Sequence, residues 1–165
     1  MKVVDNFLPE ADFKLAQSLI MDYGFPWCWN DSVTKQVGES DPGEFQFVHK
    51  FYDPLCGVMS NYPRWKEIIK PFADYLNPTS LMRIKANLNV ATLEHITREF
   101  HTDFNVKCTT AVAYMNNNNG YTLFEDGTKV QSKENRVVIF DSQKRHAGIP
   151  CTDEKRRVVI NFNFI

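Results

Sequence analysis

An imidazole and a carboxylate stand two residues apart in the segment Phe-His-Thr-Asp-Phe, residues 100–104. A β-strand has a side-chain period of two, so a strand here points His101 and Asp103 to one face and the two phenylalanines to the other. The chain has only four histidines, but a His-x-Asp triplet also arises by chance. The pair is therefore a candidate site that needs support from a further residue.

That support comes from His146, which follows the apolar strand predicted at residues 136–140. In an all-β sandwich folded back on itself, the end of this strand can lie against residues 101–103. Two histidines and one carboxylate on neighbouring strands form the facial triad that holds Fe(II) on three sides and leaves three positions open. We expect His49 and His95, which have no acid at comparable spacing, to be exposed or to cap the core.

A possible anion-binding residue lies in the last predicted strand, residues 156–165. One face of this strand, beginning with Arg156, carries four apolar residues that we expect to pack under N-terminal helices. The other face, beginning with Arg157, is more polar and is expected to line an interior pocket. A guanidinium there can bind a small dicarboxylate in bidentate fashion, although an ordinary surface arginine is the alternative.

The elements that would position these residues fall into two halves. A short strand at residues 1–7 precedes a helix at 8–24, whose apolar face is predicted to hold Leu8, Ala11, Leu15, Leu19 and Ile20. Residues 25–44 are expected to form a structured loop that buries its two tryptophans. Two helical pieces are predicted within residues 49–77, punctuated by Pro54, Pro63 and Pro71 and sharing the apolar face of Trp65, Ile68, Ile69 and Phe72.

From about residue 80 the hydrophobic period changes to two. Short strands are predicted at 81–90, 108–115, 121–127, 128–134, 136–141 and 156–165, separated by turn-rich segments that include Asn116–Gly120 and residues 146–155. The pattern predicts a helical prefix, residues 1–79, and a β core, residues 80–165, within one domain spanning residues 1–165.

Composition limits the classes of partner. The 165 residues are 43% hydrophobic and 13% aromatic, with a net charge of −1, which indicates a packed globular protein without a general footprint for nucleic acid or anionic membrane. A local basic patch is the alternative, formed by Lys144, Arg145, Lys155, Arg156 and Arg157. The four dispersed cysteines and the absence of a signal-like N-terminus predict reduced thiols in the cytoplasm, and no apolar run reaches the about 20 residues of a membrane span.

The combination of His-Thr-Asp, His146 and Arg157 over roughly residues 80–165 resembles the 2-oxoglutarate- and Fe(II)-dependent oxygenases, in particular the prolyl 4-hydroxylase branch. The opening Val-Val-Asp-Asn-Phe-Leu-Pro is similar to the usual start of these domains, and Ala-Tyr-Met-Asn and Gly-Tyr-Thr-Leu-Phe resemble two of their core strands. The resemblance implies an α+β fold: a double-stranded β-helix, or cupin-like jelly roll, with N-terminal helices packed on its major sheet.

The resemblance also implies a set of roles. His101, Asp103 and His146 would bind Fe(II), and 2-oxoglutarate would be bound by Arg157, with Arg156 as the alternative. Tyr114 would donate a hydrogen bond to the distal carboxylate, and Thr122 would line the cosubstrate pocket. With O2 as the third component, the reaction would hydroxylate an unactivated C–H bond and release succinate and CO2.

The substrate implied is a prolyl or other amino-acid residue in a protein or peptide rather than nucleic acid, acted on by a monomer or weak homodimer without a membrane partner. Small stand-alone relatives occur in bacteria and large tailed phages, so a phage-encoded protein would work in the host cytoplasm. Two alternatives remain open: a non-catalytic jelly-roll ligand-binding module, and a metal-dependent isomerase or other cupin-type enzyme.

Overall fold

The computed structural model describes residues 1–31, 45–104 and 106–165, within which eleven strands and two helices are found. Most of the secondary structure is therefore β-sheet. The elements, in chain order, are β1 (Lys2–Val4), α1 (Glu10–Ile20), β2 (Cys28–Asn30), β3 (Gln46–Asp53), β4 (Gly57–Val58), α2 (Trp65–Leu76), β5 (Leu81–Val90), β6 (Thr109–Tyr114), β7 (Tyr121–Phe124), β8 (Lys129–Gln131), β9 (Arg136–Asp141), β10 (His146–Ile149) and β11 (Arg156–Phe164).

The strands form two antiparallel sheets. The larger has the order β1-β9-β6-β11-β5-β3-β2, with β4 paired to β3, and the smaller has the order β10-β7-β8. The long strand β11 lies between β5 and β6, and its register places Arg157 beside Asn89 and Asn163 beside Arg83 and Thr110. Side chains that alternate along β11 therefore share a face with matching residues of both neighbours.

Large apolar side chains fill the space between the two sheets. They follow the strand period of two, so that Tyr114 faces the small sheet and its neighbour Ala113 faces the opposite side. The ring of Phe124 from the small sheet lies 4.9 Å from that of Phe140 from the large one. This inner cluster comprises Val112, Tyr114, Val138, Phe140 and Val159 from the large sheet and Phe124 and Val130 from the small sheet. The arrangement of two facing sheets is that of a jelly-roll core.

A second and larger cluster occupies the opposite face of the large sheet and contains side chains from both helices. Phe72 of α2 and Phe162 of β11 are both fully buried, with ring centroids 5.6 Å apart. Val158, Ile160 and Phe164 belong to the same cluster. The apolar face of β11 is thus used for packing, which leaves the face of Arg157 for the interior between the sheets.

The helix predicted at residues 8–24 exists as α1, with changes in detail. In α1, Leu19 and Ile20 are buried as predicted, but Ala11 and Leu15 are exposed, and Phe13 and Ala16 take their places in the core. The helix ends at Ile20 rather than near Gly24.

The predicted division of residues 49–77 into two helical pieces is wrong. The helix α2 continues through Pro71 and ends where Asn77 adopts a left-handed conformation with φ of 47°. Proline removes one backbone hydrogen bond from a helix, but buried Ile68, Ile69 and Phe72 on one face hold α2 against the core.

The prediction of a helical prefix over residues 1–79 is also wrong, because β2, β3 and β4 lie within it. The eight-residue β3 pairs with β5 inside the large sheet. In β3, His49 and Phe51 are buried and Lys50 between them is exposed, which is the strand period of two. The nearby prolines obscured this period in the sequence. The predicted loop at 25–44 includes β2, and its residues 32–44 lie outside the described residues.

Cys108 and Cys151 are buried, Cys28 and Cys56 are exposed, and all four are free thiols. In the part of the chain that the structure describes, neither helix has the length and apolar character needed to cross a membrane.

Candidate metal centre and anion pocket

Three potential metal ligands converge at one end of the interior between the sheets. His101, Asp103 and His146 each offer one ligand atom, and these atoms all lie within 4.8 Å of one another. The two imidazole rings have centroids 4.8 Å apart and are inclined at 45°. Residues separated by more than 40 positions in the sequence are thus close enough to bind a single ion.

Backbone hydrogen bonds bring the three residues together, although not as predicted. Residues 100–104 do not form a strand. His101 makes a single antiparallel bridge with His146, in which each backbone N–H donates to the other residue's carbonyl at 3.0 Å. The backbone N–H of Asp103 donates to the carbonyl of Ser142 at 3.3 Å. The segment predicted as a turn at 146–155 begins with β10, so His146 opens a strand and His101 lies against its edge.

His146 is oriented by its own turn. Its Nδ1 lies 3.0 Å from the carbonyl oxygen of Lys144, and since a carbonyl only accepts, Nδ1 carries the proton and Nε2 has a lone pair free for a metal ion. The ring is 4% exposed and packs against Phe140, with centroids 4.9 Å apart. The tautomer and the ring position are both those of a metal-binding histidine.

Asp103 receives three hydrogen bonds from three different strands. Arg83 donates to Oδ1 at 2.9 Å, whereas Thr110 and Asn163 donate to Oδ2 at 3.0 and 3.2 Å. A carboxylate accepts at about four lone-pair positions, so the remaining one is on Oδ1. Burial raises the pKa of Asp103, but His146, Arg83 and these hydrogen bonds outweigh burial and hold the pKa below its usual value. The carboxylate is therefore charged and has one position for a metal ion.

His101 completes a donor set that suits Fe(II). Burial, followed by the proximity of His146, lowers the pKa of His101 and favours the neutral imidazole that metals require. Its Nδ1 is buried and has no hydrogen-bond partner among the described residues. Two imidazoles and one carboxylate, without a thiolate, match the ligands of non-haem Fe(II). The residues present therefore fit this ion.

The second part of the site is a buried cation at the other end of the same face. Arg157 is 2% exposed, and its Nε and Nη2 donate to the hydroxyl groups of Ser132 at 3.0 Å and Thr122 at 3.2 Å. Burial lowers its pKa, but a guanidinium remains protonated in proteins. Its hydrogen-bond partners within the described residues are neutral. A buried cation with neutral partners favours an anionic ligand, and a dicarboxylate such as 2-oxoglutarate meets that requirement.

Tyr114 and Thr122 lie beside this guanidinium. The Tyr114 hydroxyl donates to Thr122 Oγ1 at 2.8 Å, and the ring centroid lies 5.5 Å from Cζ of Arg157. Burial raises the pKa of Tyr114, so the phenol is neutral. Thr122 Oγ1 accepts from both neighbours, which leaves its own O–H to donate to a ligand.

Arg156 points away from this pocket. It is half-buried on the helix side, where Nη2 donates to the carbonyl oxygen of Met21 at 2.8 Å. The geometry thus separates the two arginines that the sequence left as alternatives.

Three amide side chains line the sheet between the two parts of the site. Asn87 and Asn89 of β5 and Asn161 of β11 share the inner face of Arg157 and Asn163 by register. Oδ1 of Asn87, Nδ2 of Asn89 and Oδ1 of Asn161 are buried without a hydrogen-bond partner among the residues described. Burying an unpaired polar group costs about 1–3 kcal/mol, so this strip of neutral amides is suited to a polar ligand.

The predicted basic patch does not form, because Arg157 is internal and two of its other members are paired. Lys144 lies 2.8 Å from Asp126 and Arg145 lies 3.2 Å from Glu125.

The two other histidines do not take part in the triad. His49 is buried, with its nitrogens 2.9 Å from the carbonyl oxygen of Pro26 and 2.7 Å from the hydroxyl of Ser60. His95 is exposed and lies 3.3 Å from Oδ1 of Asn119.

Sequence reasoning missed the residues that hold the site in place, namely Arg83, Thr110, Asn163 and Ser132. The strand period does place Arg83 and Asn163 on polar faces, but it gives no information about which carboxylate they contact. Ser132 has no sequence signal, since it lies just after the end of β8.

Comparison with solved structures identifies the fold. The chain is similar to a Trichoplax adhaerens prolyl hydroxylase solved with a hypoxia inducible factor oxygen degradation domain peptide (13% identity, TM-score 0.67, 99% of this chain and 82% of the other). A Pseudomonas putida prolyl-4-hydroxylase aligns at 16% identity and a TM-score of 0.57, over 99% of this chain and 91% of the other. The α-ketoglutarate-dependent epimerase SnoN of nogalamycin biosynthesis aligns at 15% identity and a TM-score of 0.62, over 99% of this chain and 75% of the other.

No protein-family model and no curated protein matches the sequence. The similarity to solved structures shows that the chain has the fold of the prolyl hydroxylases and other 2-oxoglutarate–Fe(II) oxygenases. The sequence identity to these proteins is too low to indicate which reaction the chain catalyses. SnoN is an epimerase, so one fold serves more than one chemistry, and the function of a chain with this fold depends on the residues of its site.

Proposed function

We propose that the protein is a 2-oxoglutarate- and Fe(II)-dependent dioxygenase that hydroxylates an unactivated C–H bond in an amino-acid residue of a protein or peptide, releasing succinate and CO2. The observation that carries the proposal is the presence, on one inner face, of a His-Asp-His cluster with ligand atoms within 4.8 Å and a buried arginine with neutral partners. A metal site alone or a buried cation alone would fit many proteins, whereas the pair fits a metal-chelating dicarboxylate.

In this proposal the protein supplies position and charge. His101, Asp103 and His146 hold Fe(II), which, when bound, supplies the O2-dependent oxidation chemistry coupled to decarboxylation of 2-oxoglutarate. Arg157 binds the distal carboxylate through its remaining N–H groups. The Thr122 hydroxyl, which accepts the O–H of Tyr114, donates to the same carboxylate. Burial of these donors excludes water and strengthens their interaction with the anion.

A peptide substrate is favoured over nucleic acid by the amide side chains of the inner face. Asn87 and Asn161 present amide groups with a buried unpaired oxygen, and amides are complementary to the N–H and C=O groups of a polypeptide. The net charge of −1 and the ion pairs of Lys144 and Arg145 with acidic residues disfavour binding of a polyphosphate backbone. The Trichoplax neighbour was solved with a peptide, which is consistent with this choice.

The proposal is tested by purifying the protein without oxygen, adding Fe(II), and measuring succinate release from 2-oxoglutarate with and without O2. We expect O2-dependent succinate formation and its loss in Asp103→Ala, which removes the only carboxylate of the triad. A pool of synthetic peptides analysed for a mass gain of one oxygen then tests the substrate class. Ligand binding without turnover would instead indicate a binding module, and turnover without need for 2-oxoglutarate would indicate a cupin-type metal enzyme.

We further infer that both helices support the large sheet at the face opposite the site, as the shared cluster of Phe72 and Phe162 suggests. The single domain over residues 1–165, the monomeric or weakly dimeric state, the cytoplasmic location and the bacterial or phage origin stay predictions.

A further inference from the structure

The side chain of Arg157 lies in a narrow channel formed partly by residues that the proposed function does not use. Ser132, which is 4% exposed, accepts the Nε–H of Arg157 at 3.0 Å. Nε is next to the aliphatic part of the side chain, so this bond fixes the rotation of the planar guanidinium about its stem. The Nε–H is bound to Ser132 and one Nη2–H to Thr122, so the other N–H groups of the guanidinium are all on the terminal nitrogens Nη1 and Nη2.

Gly120 also lies against the side chain of Arg157. A Cβ atom at position 120 would lie 2.8 Å from Cδ of Arg157, 2.8 Å from the carbonyl oxygen of Ile149 and 2.8 Å from Oδ1 of Asn118. All three distances are shorter than real Cβ contacts allow, so only glycine lets the arginine stem pass. The carbonyl of Gly120 also accepts the backbone N–H of Ser132 at 2.9 Å. The open end of the β7–β8 hairpin therefore holds both the serine and the glycine.

We propose that Ser132 and Gly120 are positioning residues that aim the terminal nitrogens of Arg157 at the distal carboxylate of the cosubstrate, and so make the site selective for dicarboxylic 2-oxo acids. This rests on the proposed function. Bidentate binding needs the two N–H groups of the guanidinium edge to be parallel to the carboxylate plane. Loss of the Ser132 hydroxyl frees the guanidinium to rotate, and a ligand is then bound by charge alone, without the fixed geometry.

The test compares two ligands of the Mn(II)-loaded protein, in which no turnover occurs: 2-oxoglutarate, and 2-oxobutyrate, which has the same chelating end but lacks the distal carboxylate. Isothermal titration calorimetry gives both dissociation constants. In Ser132→Ala we expect the value for 2-oxoglutarate to rise about 10-fold, as for the loss of a hydrogen bond to a charged group. The value for 2-oxobutyrate should change by less than about twofold, since that ligand does not contact Arg157.

A matched control variant and a double variant distinguish a positioning role of Ser132 from a general loss of structure. Ser60→Ala removes a serine hydroxyl that lies beside His49, on the helix side of the large sheet, and should leave both constants unchanged. In an Arg157→Gln background, Ser132→Ala should add no further loss, because residues that act through one another are not additive. Gly120→Ala provides an independent variant, in which we expect the same selective loss for 2-oxoglutarate.

The possible affinities distinguish failure of this inference from failure of the proposed function. Equal weakening of both ligands in Ser132→Ala and Gly120→Ala would show a structural role and overturn the inference, as would an unchanged affinity for 2-oxoglutarate. A wild-type protein that binds Mn(II) but does not prefer 2-oxoglutarate to 2-oxobutyrate would contradict the proposed function itself. That outcome is visible without any variant, so the two failures are distinguishable.

Discussion

At the scale of single residues, the candidate site is defined by which polar atoms are already bound and which are free. Nδ1 of His146 is bound to a backbone carbonyl, which leaves Nε2, and three of about four acceptor positions of Asp103 are filled, which leaves one. The guanidinium of Arg157 similarly donates to Ser132 and Thr122, and its other N–H groups are on the terminal nitrogens. The free positions match what a metal ion and a dicarboxylate require.

The two adjacent arginines provide a prediction at this scale. Arg157→Ala should raise the KM for 2-oxoglutarate about 100-fold, because it removes a buried charged partner of the distal carboxylate. Arg156→Ala should change this KM by less than about threefold, because the Arg156 guanidinium contacts a helix carbonyl instead. Succinate release measures both. A larger effect of Arg156 than of Arg157 would refute the assignment.

His49 provides a prediction about pH and stability. Burial lowers its pKa, and the hydrogen bond to Pro26 opposes this only in part. The unfolded chain therefore binds a proton near pH 6.5, whereas the folded protein does not. The contribution of His49 to stability is present above about pH 6.5 and is lost as the pH falls towards the lower folded pKa.

Urea unfolding between pH 7 and 5 measures this effect. We expect His49→Gln to have a shallower decrease in the free energy of unfolding over that range than the wild type. His95→Gln, a change at an exposed position, should retain the wild-type slope. Equal slopes in all three proteins would mean that the folded state accommodates the charged imidazole.

At the scale of elements, the proposed metal ligand Asp103 depends on strands that contribute no ligand themselves. Asp103 lies on an irregular segment, but β5, β6 and β11 each provide one donor to its carboxylate through Arg83, Thr110 and Asn163. Three hydrogen-bonded strands of one sheet form a rigid support, whereas the segment at 100–104 has only one backbone bridge. The sheet therefore fixes the ligand that the loop carries.

Asn163→Leu tests this support. We expect the affinity for Mn(II) to fall about 10- to 100-fold, as for the loss of a partner of a metal ligand. Asn161→Leu, two residues away on the same face but without a hydrogen bond to Asp103 among the described residues, is the matched control and should leave the affinity unchanged. Equal effects of the two variants would assign the loss to the strand rather than to the hydrogen bond.

The packing of α2 gives a second prediction for elements. Phe72→Ala removes a fully buried ring that contacts Phe162, and we expect the free energy of unfolding to fall by about 3–5 kcal/mol. Tyr75→Ala, on the same helix with 57% of its side chain exposed, should cost less than about 1 kcal/mol. Chemical denaturation measures both, and a small effect at position 72 would mean that α2 is dispensable to the core.

At the scale of the whole molecule, the site lies between two sheets whose separate strands must assemble before any ligand can bind. The triad joins the small sheet and the segment before β6, and Arg157 comes from the large sheet. Ligands that bind only this assembled state stabilise it by mass action.

We therefore expect Mn(II) and 2-oxoglutarate together to raise the melting temperature of the wild type. At 100 times the dissociation constant the added stability is about 2.7 kcal/mol. His101→Ala should show little of this shift, because one of the three metal ligands is missing. Differential scanning fluorimetry provides the measurement, and an equal shift in the variant would place the bound ion elsewhere.

The sequence by itself determined much of the fold. Alternation of apolar residues located β5, β6, β7, β9 and β11, because a strand that buries one face must repeat every two residues. It also separated the faces of Arg156 and Arg157. The sequence failed for β3, for β10 and for the continuity of α2, where prolines and turn residues favour one local structure and long-range pairing imposes another.

Only the tertiary structure decided whether the distant ligands meet. His101 and Asp103 are two residues apart in the chain, but their proximity to His146 comes from a bridge across 45 positions and from donors on three other strands. The role of Ser132 is likewise visible only in three dimensions. Local sequence sets the preference of each residue for strand, helix or turn, whereas register and packing between distant segments set which side chains share a pocket.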